Sequence, residues 1–347
     1  MTKLRTIAPF SEPMDRKTPW LFGVLAILLA IAVAGRLTLG SVEIPFSQVV
    51  TILLGNEPTQ TPWRDIILQF RLPRAIAAIL AGAALSVSGL QVQTLFRNPL
   101  AGPSILGINA GASLAVALVV LVTGSSKLPN LGIAMAAGIG AGLAASLLLL
   151  ISQQLQSQLA LLVFGLMFGY MTTAFVTIFL HFSSIEQTQS YLVWTFGSFA
   201  GVTWSQIRVL LPLVLLGLIL SSLLCGSLNL LLLGDEQARN LGLSVRAIRI
   251  GIILSSSLLA GTVTAFCGPV AFLGVAVPHL CRSLFKSVEH RLLIPATILL
   301  GALLALFADA IAQFPGQDTV LPLNAVTALL GAPVVTWLVW KRQHFFY

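Results

Sequence analysis

Charged side chains cluster between two long apolar runs, in residues 230–245, LLLLGDEQARNLGLSV. Asp235 follows Gly234 as a candidate N-cap, and Arg239 stands four residues later, where a guanidinium can pair with the carboxylate on one helix face. Gly242 is a candidate for the residue that ends the helix. These features predict a helix of about two turns, roughly 10 Å long. Such a helix is shaped to lie in a groove of another protein.

Two arginines, Arg71 and Arg74, flank a proline where another apolar run begins. One interpretation is that both side chains extend to the polar edge of a membrane while their stems stay among apolar groups. The other is that the proline at a helix start fixes the pair as a docking point for carboxylates of a partner protein. The residues alone leave both interpretations open.

One acidic residue, Asp309, lies well within an apolar run. An acid in such a place is a functional candidate, for example as the group that couples transport to an ion gradient. Because Asp309 stands near the end of its run, a structural pairing with another side chain is an equal alternative.

A polar segment, SQQLQSQ at residues 152–158, precedes a further apolar run. Such a segment can simply be solvated. If a pathway closes at this side of a membrane, its last two residues, Ser157 and Gln158, are candidates for the gate.

No catalytic or metal-binding set of residues emerges from the sequence. The three cysteines show no CxxC spacing and the four histidines are scattered along the chain. The P-loop pattern GxxxxGK[ST] does not occur, so ATP would have to be bound by another chain. We therefore expect no enzymatic activity, no metal site and no cofactor bound by this chain.

Charged residues are rare in this chain, which is mostly hydrophobic. Of 347 residues, 57% are hydrophobic and 9% charged, with a mean hydropathy of +0.96, outside the range of soluble domains. Apolar runs of about 20 residues, the length that crosses a bilayer as a helix, occur at residues 20–39, 73–95, 103–123, 131–151, 159–180, 207–228, 247–266, 268–285, 292–312 and 321–340. We predict an all-α polytopic membrane protein with about ten transmembrane helices.

The basic residues indicate how these spans are oriented. With a cytoplasmic N-terminus, 13 of the 19 lysines and arginines fall on the inner side, as the positive-inside rule requires. Both termini are then cytoplasmic, and the net charge of +8 needs no nucleic-acid partner. We predict cytoplasmic tails at residues 1–19 and 343–347 around a membrane domain at residues 20–342, with Arg71 and Arg74 on the outer side.

A short internal repeat divides the spans into two halves. Gly102-Pro103 followed by LGI at residues 106–108 recurs as Gly268-Pro269 followed by LGV at residues 273–275. Five spans separate the two copies, so they would run in opposite directions. This arrangement predicts an inverted five-plus-five repeat, which is common in transporters.

Several longer motifs resemble one family. They are RLPR at residues 71–74, RNPLAGPSILGINAGA at 97–112, GDEQARNLG at 234–242, GPVAFLGVAVPHLCR at 268–282 and VTALLGAP at 326–333. In this order, over residues 20–342, they resemble the FecCD-type permeases, the membrane subunits of ABC importers for iron-siderophores, haem and cobalamin.

The resemblance implies the type II ABC importer fold and a set of partners in the bacterial plasma membrane. These are a second permease, identical or paralogous, two cytoplasmic subunits that use ATP and Mg, and an extracytoplasmic binding protein whose glutamates would meet Arg71 and Arg74. It also implies that residues 228–245 carry the helix that couples to the ATPase, with Gly234, Asp235, Glu236, Ala238, Arg239, Leu241 and Gly242 as its contact set.

The chain departs from the family pattern in two places. Gln313 stands where the family often has an arginine after the Ala-Asp of the ninth span, and Val320 begins VLPLN where the family often has ELPxG. The outer docking surface is therefore less charged than usual, and a heterodimer of permeases is one consequence to consider.

Two hypotheses follow. The first is a binding-protein-dependent ABC importer permease for a ferric siderophore, with haem or cobalamin as other cargoes. The alternative is a secondary transporter of inverted-repeat type, driven by an ion gradient through Asp309.

Overall fold

The computed structural model describes residues 17–40, 42–124, 130–155, 157–313 and 320–343. Residues 1–16 and 344–347, most of the two predicted tails, lie outside these ranges. The helices in chain order are α1 (Lys17–Thr38), α2 (Phe46–Leu53), α3 (Thr61–Asp65), α4 (Leu72–Phe96), α5 (Ile108–Ala117), α6 (Asn130–Gln154), α7 (Gln158–Phe182), α8 (Ile185–Thr195), α9 (Trp204–Leu223), α10 (Cys225–Leu231), α11 (Asp235–Asn240), α12 (Val245–Cys267), α13 (Leu273–Phe285), α14 (His290–Ala312) and α15 (Leu323–Gln343).

Ten of these helices correspond to the ten predicted spans. Among the described residues, seven helices are long and apolar enough to cross a membrane, namely α1, α4 with the helical turns before it, α6, α7, α9, α12 and α14. Three shorter apolar helices, α5 with the π-helical turn Leu118–Val122, α13 and α15, account for the other three runs. The predicted all-α fold class is confirmed, and the described ranges contain no strand.

The buried centre of the subunit is α4, which packs against α9, α12, α13 and α14. Its glycines allow two of these neighbours to approach backbone to backbone. A Cβ added to Gly82 would lie 2.1 Å from the carbonyl oxygen of Gly301 on α14, and one added to Gly89 would lie 1.7 Å from that of Gly274 on α13. Small residues at such contacts are the usual means of close helix packing in membranes.

The two copies of the repeat occupy equivalent places. Each follows a buried span, α4 or α12, and each precedes one of the shorter helices, α5 or α13. The copies also touch, since a Cβ on Gly274 would lie 2.6 Å from the ring of Pro103. These features support the predicted five-plus-five repeat.

Candidate coupling and docking sites

The charged segment between α9 and α12 forms a short helix at the place predicted. Gly234 and Gly242 bound α11, and both have positive φ, +116° and +86°. The N-cap prediction is wrong by one residue, because Gly234 occupies the N-cap and Asp235 is the first helical residue. The carboxylate of Asp235 binds two arginines of other helices instead.

One face of this segment is exposed and the other is anchored. Ala238 is fully buried, whereas Leu241 is 61% exposed. The residues of the segment that face outward with Leu241 are Glu236, Gln237, Arg239, Asn240 and Gly242. The structure therefore presents a mixed polar and apolar surface between two spans, held in place from beneath.

Asp235 joins α11 to two long helices. Nη2 of Arg97, at the end of α4, lies 2.6 Å from Oδ1 of Asp235, and Nη2 of Arg249, in the first turns of α12, lies 3.3 Å from Oδ2. The side chain of Arg97 is 42% exposed and that of Arg249 is 9% exposed. Arg97 caps α4 in the left-handed conformation, with φ of +48°. Sequence patterns gave no indication of these pairs, because the partners are far apart along the chain.

A second anchor lies just before α11, on α10. The side-chain oxygen of Asn229 accepts hydrogen bonds from the backbone N–H of His290, at 2.9 Å, and from its Nδ1, at 2.7 Å. Nε2 of His290 is 2.8 Å from the hydroxyl of Thr94 on α4. The α10–α11 segment is thus held to α4 at two levels, through His290 and through Arg97.

The predicted gate residues lie beside this segment. Ser157 is the N-cap of α7, and its hydroxyl accepts from the backbone N–H of Ala160 at 3.3 Å. Gln158 is the first residue of α7, but its side chain lies outside the described part of the structure. Ser157 lines a cavity of about 600 Å³ together with Arg97, Asp235 and Glu236. The start of α7 therefore faces α11 across open space.

At the opposite end of α4, Arg74 and Asp309 form a buried salt bridge. Asp309 is 1% exposed, and its oxygens accept from Nη2 of Arg74 at 2.7 Å and from Nε at 2.9 Å. Nε of Arg36, on α1, also binds this carboxylate at 2.6 Å, and Nη2 of Arg36 donates to Gln313. The role of Arg36 was not predicted, because no local pattern marks this arginine. Gln313, one departure from the family pattern, is part of the same cluster.

Arg71 has a different set of internal partners. Its Nη1 donates to the carbonyl oxygens of Leu37 and Thr38, at 2.6 and 2.9 Å, and its Nη2 donates to that of Val42. Arg71 and Arg74 are each 7% exposed. The docking of a binding protein at these arginines stays a prediction. In this structure both guanidinium groups are engaged within the subunit rather than pointing outward.

The described residues hold no group of three or more His, Cys, Asp or Glu side chains placed to bind a metal ion. Of the three free cysteines, Cys267 and Cys281 are buried and Cys225 is half-buried. The chemistry of the site is therefore that of ion pairs and hydrogen bonds between helices.

Comparisons with known proteins agree with this architecture. The sequence model of the FecCD transport family matches residues 26–341. A solved structure described as an inward-facing conformation of a metal-chelate type ABC transporter superposes with a TM-score of 0.82 and 29% sequence identity, covering 93% of this chain and 99% of that one.

Similar proteins of known name carry different cargoes. The chain is 35% identical over 327 residues to the hemin transport system permease HmuU of Yersinia pestis, covering 93% of this chain and 96% of that protein. It is 35% identical over 345 residues to the vitamin B12 import system permease BtuC of Klebsiella pneumoniae, covering 99% of each. It is 36% identical over 325 residues to the Fe(3+) dicitrate transport system permease FecD of Escherichia coli, covering 92% of this chain and 99% of that protein.

Proposed function

Since this chain belongs to the FecCD transport family, the membrane permease subunits of ABC transporters, we propose that it carries a ferric siderophore across the bacterial plasma membrane, with haem and cobalamin as the other candidate cargoes. The relatives named for hemin and Fe(3+) dicitrate support an iron chelate, and the one named for vitamin B12 supports a corrinoid. All three cargoes are metal chelates.

The observation that carries this proposal is the anchored, outward-facing segment at α11. A short helix held between two spans, with Ala238 buried and Leu241 exposed, has the form needed to seat in a groove of a separate ATPase. We propose that two such ATPases bind ATP and Mg, and that Gly234, Asp235, Glu236, Ala238, Arg239, Leu241 and Gly242 form the coupling segment. A second permease subunit and an extracytoplasmic binding protein complete the proposed assembly.

Docking of the binding protein at Arg71 and Arg74 remains part of the proposal. Both arginines already donate hydrogen bonds within the subunit, so docking has an energetic cost. Direct pairing with carboxylates of a partner would require either guanidinium group to leave acceptors that it holds within the subunit. The alternative is that these arginines shape the outer end of the subunit and the partner contacts neighbouring surface.

The gradient-driven alternative is disfavoured by the surroundings of Asp309. A coupling acid must exchange a proton or cation during each cycle. Here both carboxylate oxygens accept from guanidinium groups of Arg36 and Arg74, and the side chain is 1% exposed. Removing one partner of a buried ion pair is strongly unfavourable, so this carboxylate is better suited to a structural role.

The test is uptake of ferric siderophores, haem and cobalamin into proteoliposomes that contain the permease, its ATPase and the binding protein. We expect one ligand to accumulate only when ATP and all three components are present. Uptake that persists without the ATPase and collapses on addition of an uncoupler would establish the gradient-driven alternative instead.

A further inference from the structure

The coupling segment contains two kinds of charged residue, and the structure separates them. Glu236 and Arg239 are exposed, whereas the side chain of Asp235 is 28% exposed and pairs with Arg97 and Arg249. A residue that contacts the ATPase should face outward, as Leu241 does. The internal pairing of Asp235 therefore points to a different task from that of its neighbours.

The two arginines place Asp235 at a junction of long helices. Arg97 ends α4, the most buried span, and Arg249 belongs to α12, which packs along α4. Deeper between these two helices, the hydroxyl of Ser255 donates to the side-chain oxygen of Gln91 at 3.0 Å, and that of Ser88 donates to the carbonyl oxygen of Ser256 at 2.9 Å. A displacement delivered to these ends of α4 and α12 thus reaches a pair of helices that these two hydrogen bonds join further along.

The cavity beside Asp235 offers space for movement. It separates α11 from the N-terminus of α7, where Ser157 lies, and has a volume of about 600 Å³. The anchors at Asp235 hold α11 to α4 and α12. Motion of α11 would therefore be shared by α4 and α12 and would change the gap to α7.

We propose that Asp235 is a positioning residue that transmits movement of the coupling helix to α4 and α12 through Arg97 and Arg249, and that it is not an ATPase contact. This inference rests on the proposed coupling role of α11. It divides that segment into an outer face that binds the ATPase and one inward carboxylate that links binding to the spans. The carboxylate suits this task because charge-assisted hydrogen bonds are shorter and stronger than neutral ones.

The experiment compares Asp235→Asn with the wild type in the full complex. We expect the variant to co-purify with the ATPase and to hydrolyse ATP, but to take up less cargo for each ATP hydrolysed, by about tenfold, the order of effect of one charge-assisted hydrogen bond. Exchanging the charges, as Asp235→Arg with Arg97→Asp, should restore part of the ratio. Glu289→Gln is the control, because Glu289 lies at the same end of the spans and forms no salt bridge within the described ranges.

Two results would overturn the inference. One is loss of ATPase binding in Asp235→Asn, which would make Asp235 a contact residue, and the other is an unchanged ratio of uptake to ATP hydrolysed. If Asp235→Asn does not fold, Arg97→Gln removes the more exposed partner and is judged by the same ratio. Failure of the proposed function is distinguishable, since the wild-type chain itself would then neither bind the ATPase nor take up cargo with ATP.

Discussion

Arg74 and Asp309 form a salt bridge through two guanidinium nitrogens, and it joins α4 to α14. Nη2 and Nε of Arg74 lie 2.7 and 2.9 Å from Oδ1 of Asp309, and the two residues are 7% and 1% exposed. Arg36 adds a third helix, α1, to the same carboxylate. One acid between two bases thus joins three helices at this end of the subunit, and changes to this acid should affect stability first.

We expect Asp309→Leu to destabilise the subunit by about 3–5 kcal/mol, the usual cost of removing one partner of a buried ion pair. The physical reason is that two buried guanidinium groups lose their shared counter-charge. Thermal unfolding of the purified protein in detergent measures the effect. Asp65→Asn is the control, because Asp65 is exposed. Equal melting temperatures for Asp309→Leu and the wild type would contradict the structural role of this acid.

The docking prediction can be separated from a purely internal role of Arg71 and Arg74. If Arg74 acts within the subunit, Arg74→Gln lowers the melting temperature, and any loss of affinity for the binding protein accompanies that change. If Arg74 pairs with the partner, affinity falls while the melting temperature stays at the wild-type value. The measurements are thermal unfolding and equilibrium binding of the binding protein to the permease in nanodiscs.

The backbone contact between Gly89 and Gly274 predicts a sharp steric effect. A Cβ at Gly89 would lie 1.7 Å from the carbonyl oxygen of Gly274, so α4 and α13 would have to separate. We expect Gly89→Ala to destabilise the protein by about 1–3 kcal/mol, as overpacking of a close contact does. Gly142→Ala is the matched control, since nothing lies within 4 Å of its added Cβ. Similar melting temperatures for both variants would show that the two helices can move apart at little cost.

The spans were predictable from the sequence because every backbone N–H and C=O in a bilayer must be paired within the helix or barrel that crosses it. This requirement makes each crossing visible as an apolar run, including those of the short helices α5 and α13. Gly242 was also predictable as the residue that ends α11, and its positive φ of +86° agrees with that role.

The ion pairs were not predictable, because their partners are distant along the chain. Arg36 and Asp309 are 273 residues apart, and Arg97 and Asp235 are 138 residues apart. No local spacing distinguishes an arginine that meets such a partner from one that extends to the membrane edge. The misplaced N-cap has the same origin, since the arginines that bind Asp235 come from outside the segment.

The exposed face of α11 should bind the ATPase through Leu241, which is 61% exposed. We expect Leu241→Asp to abolish co-purification of the ATPase without lowering the melting temperature of the permease, because an exposed apolar contact contributes to binding and little to folding. A more direct measurement uses Leu241→Cys in a Cys225→Ser background. The remaining thiols, Cys267 and Cys281, are buried at 2% and 0% exposure and should react slowly with a maleimide.

In that background, we expect the thiol introduced at position 241 to be labelled quickly in the isolated permease and to be protected when the ATPase is added. Leu54→Cys is the control, because Leu54 is 73% exposed and lies toward the opposite end of α4, so its labelling should not change. Labelling at position 241 that is indifferent to the ATPase would show that the partner binds elsewhere. Since Asp235 faces inward on the same short helix, protection at position 241 combined with normal ATPase binding by Asp235→Asn would assign the two faces of α11 separate roles.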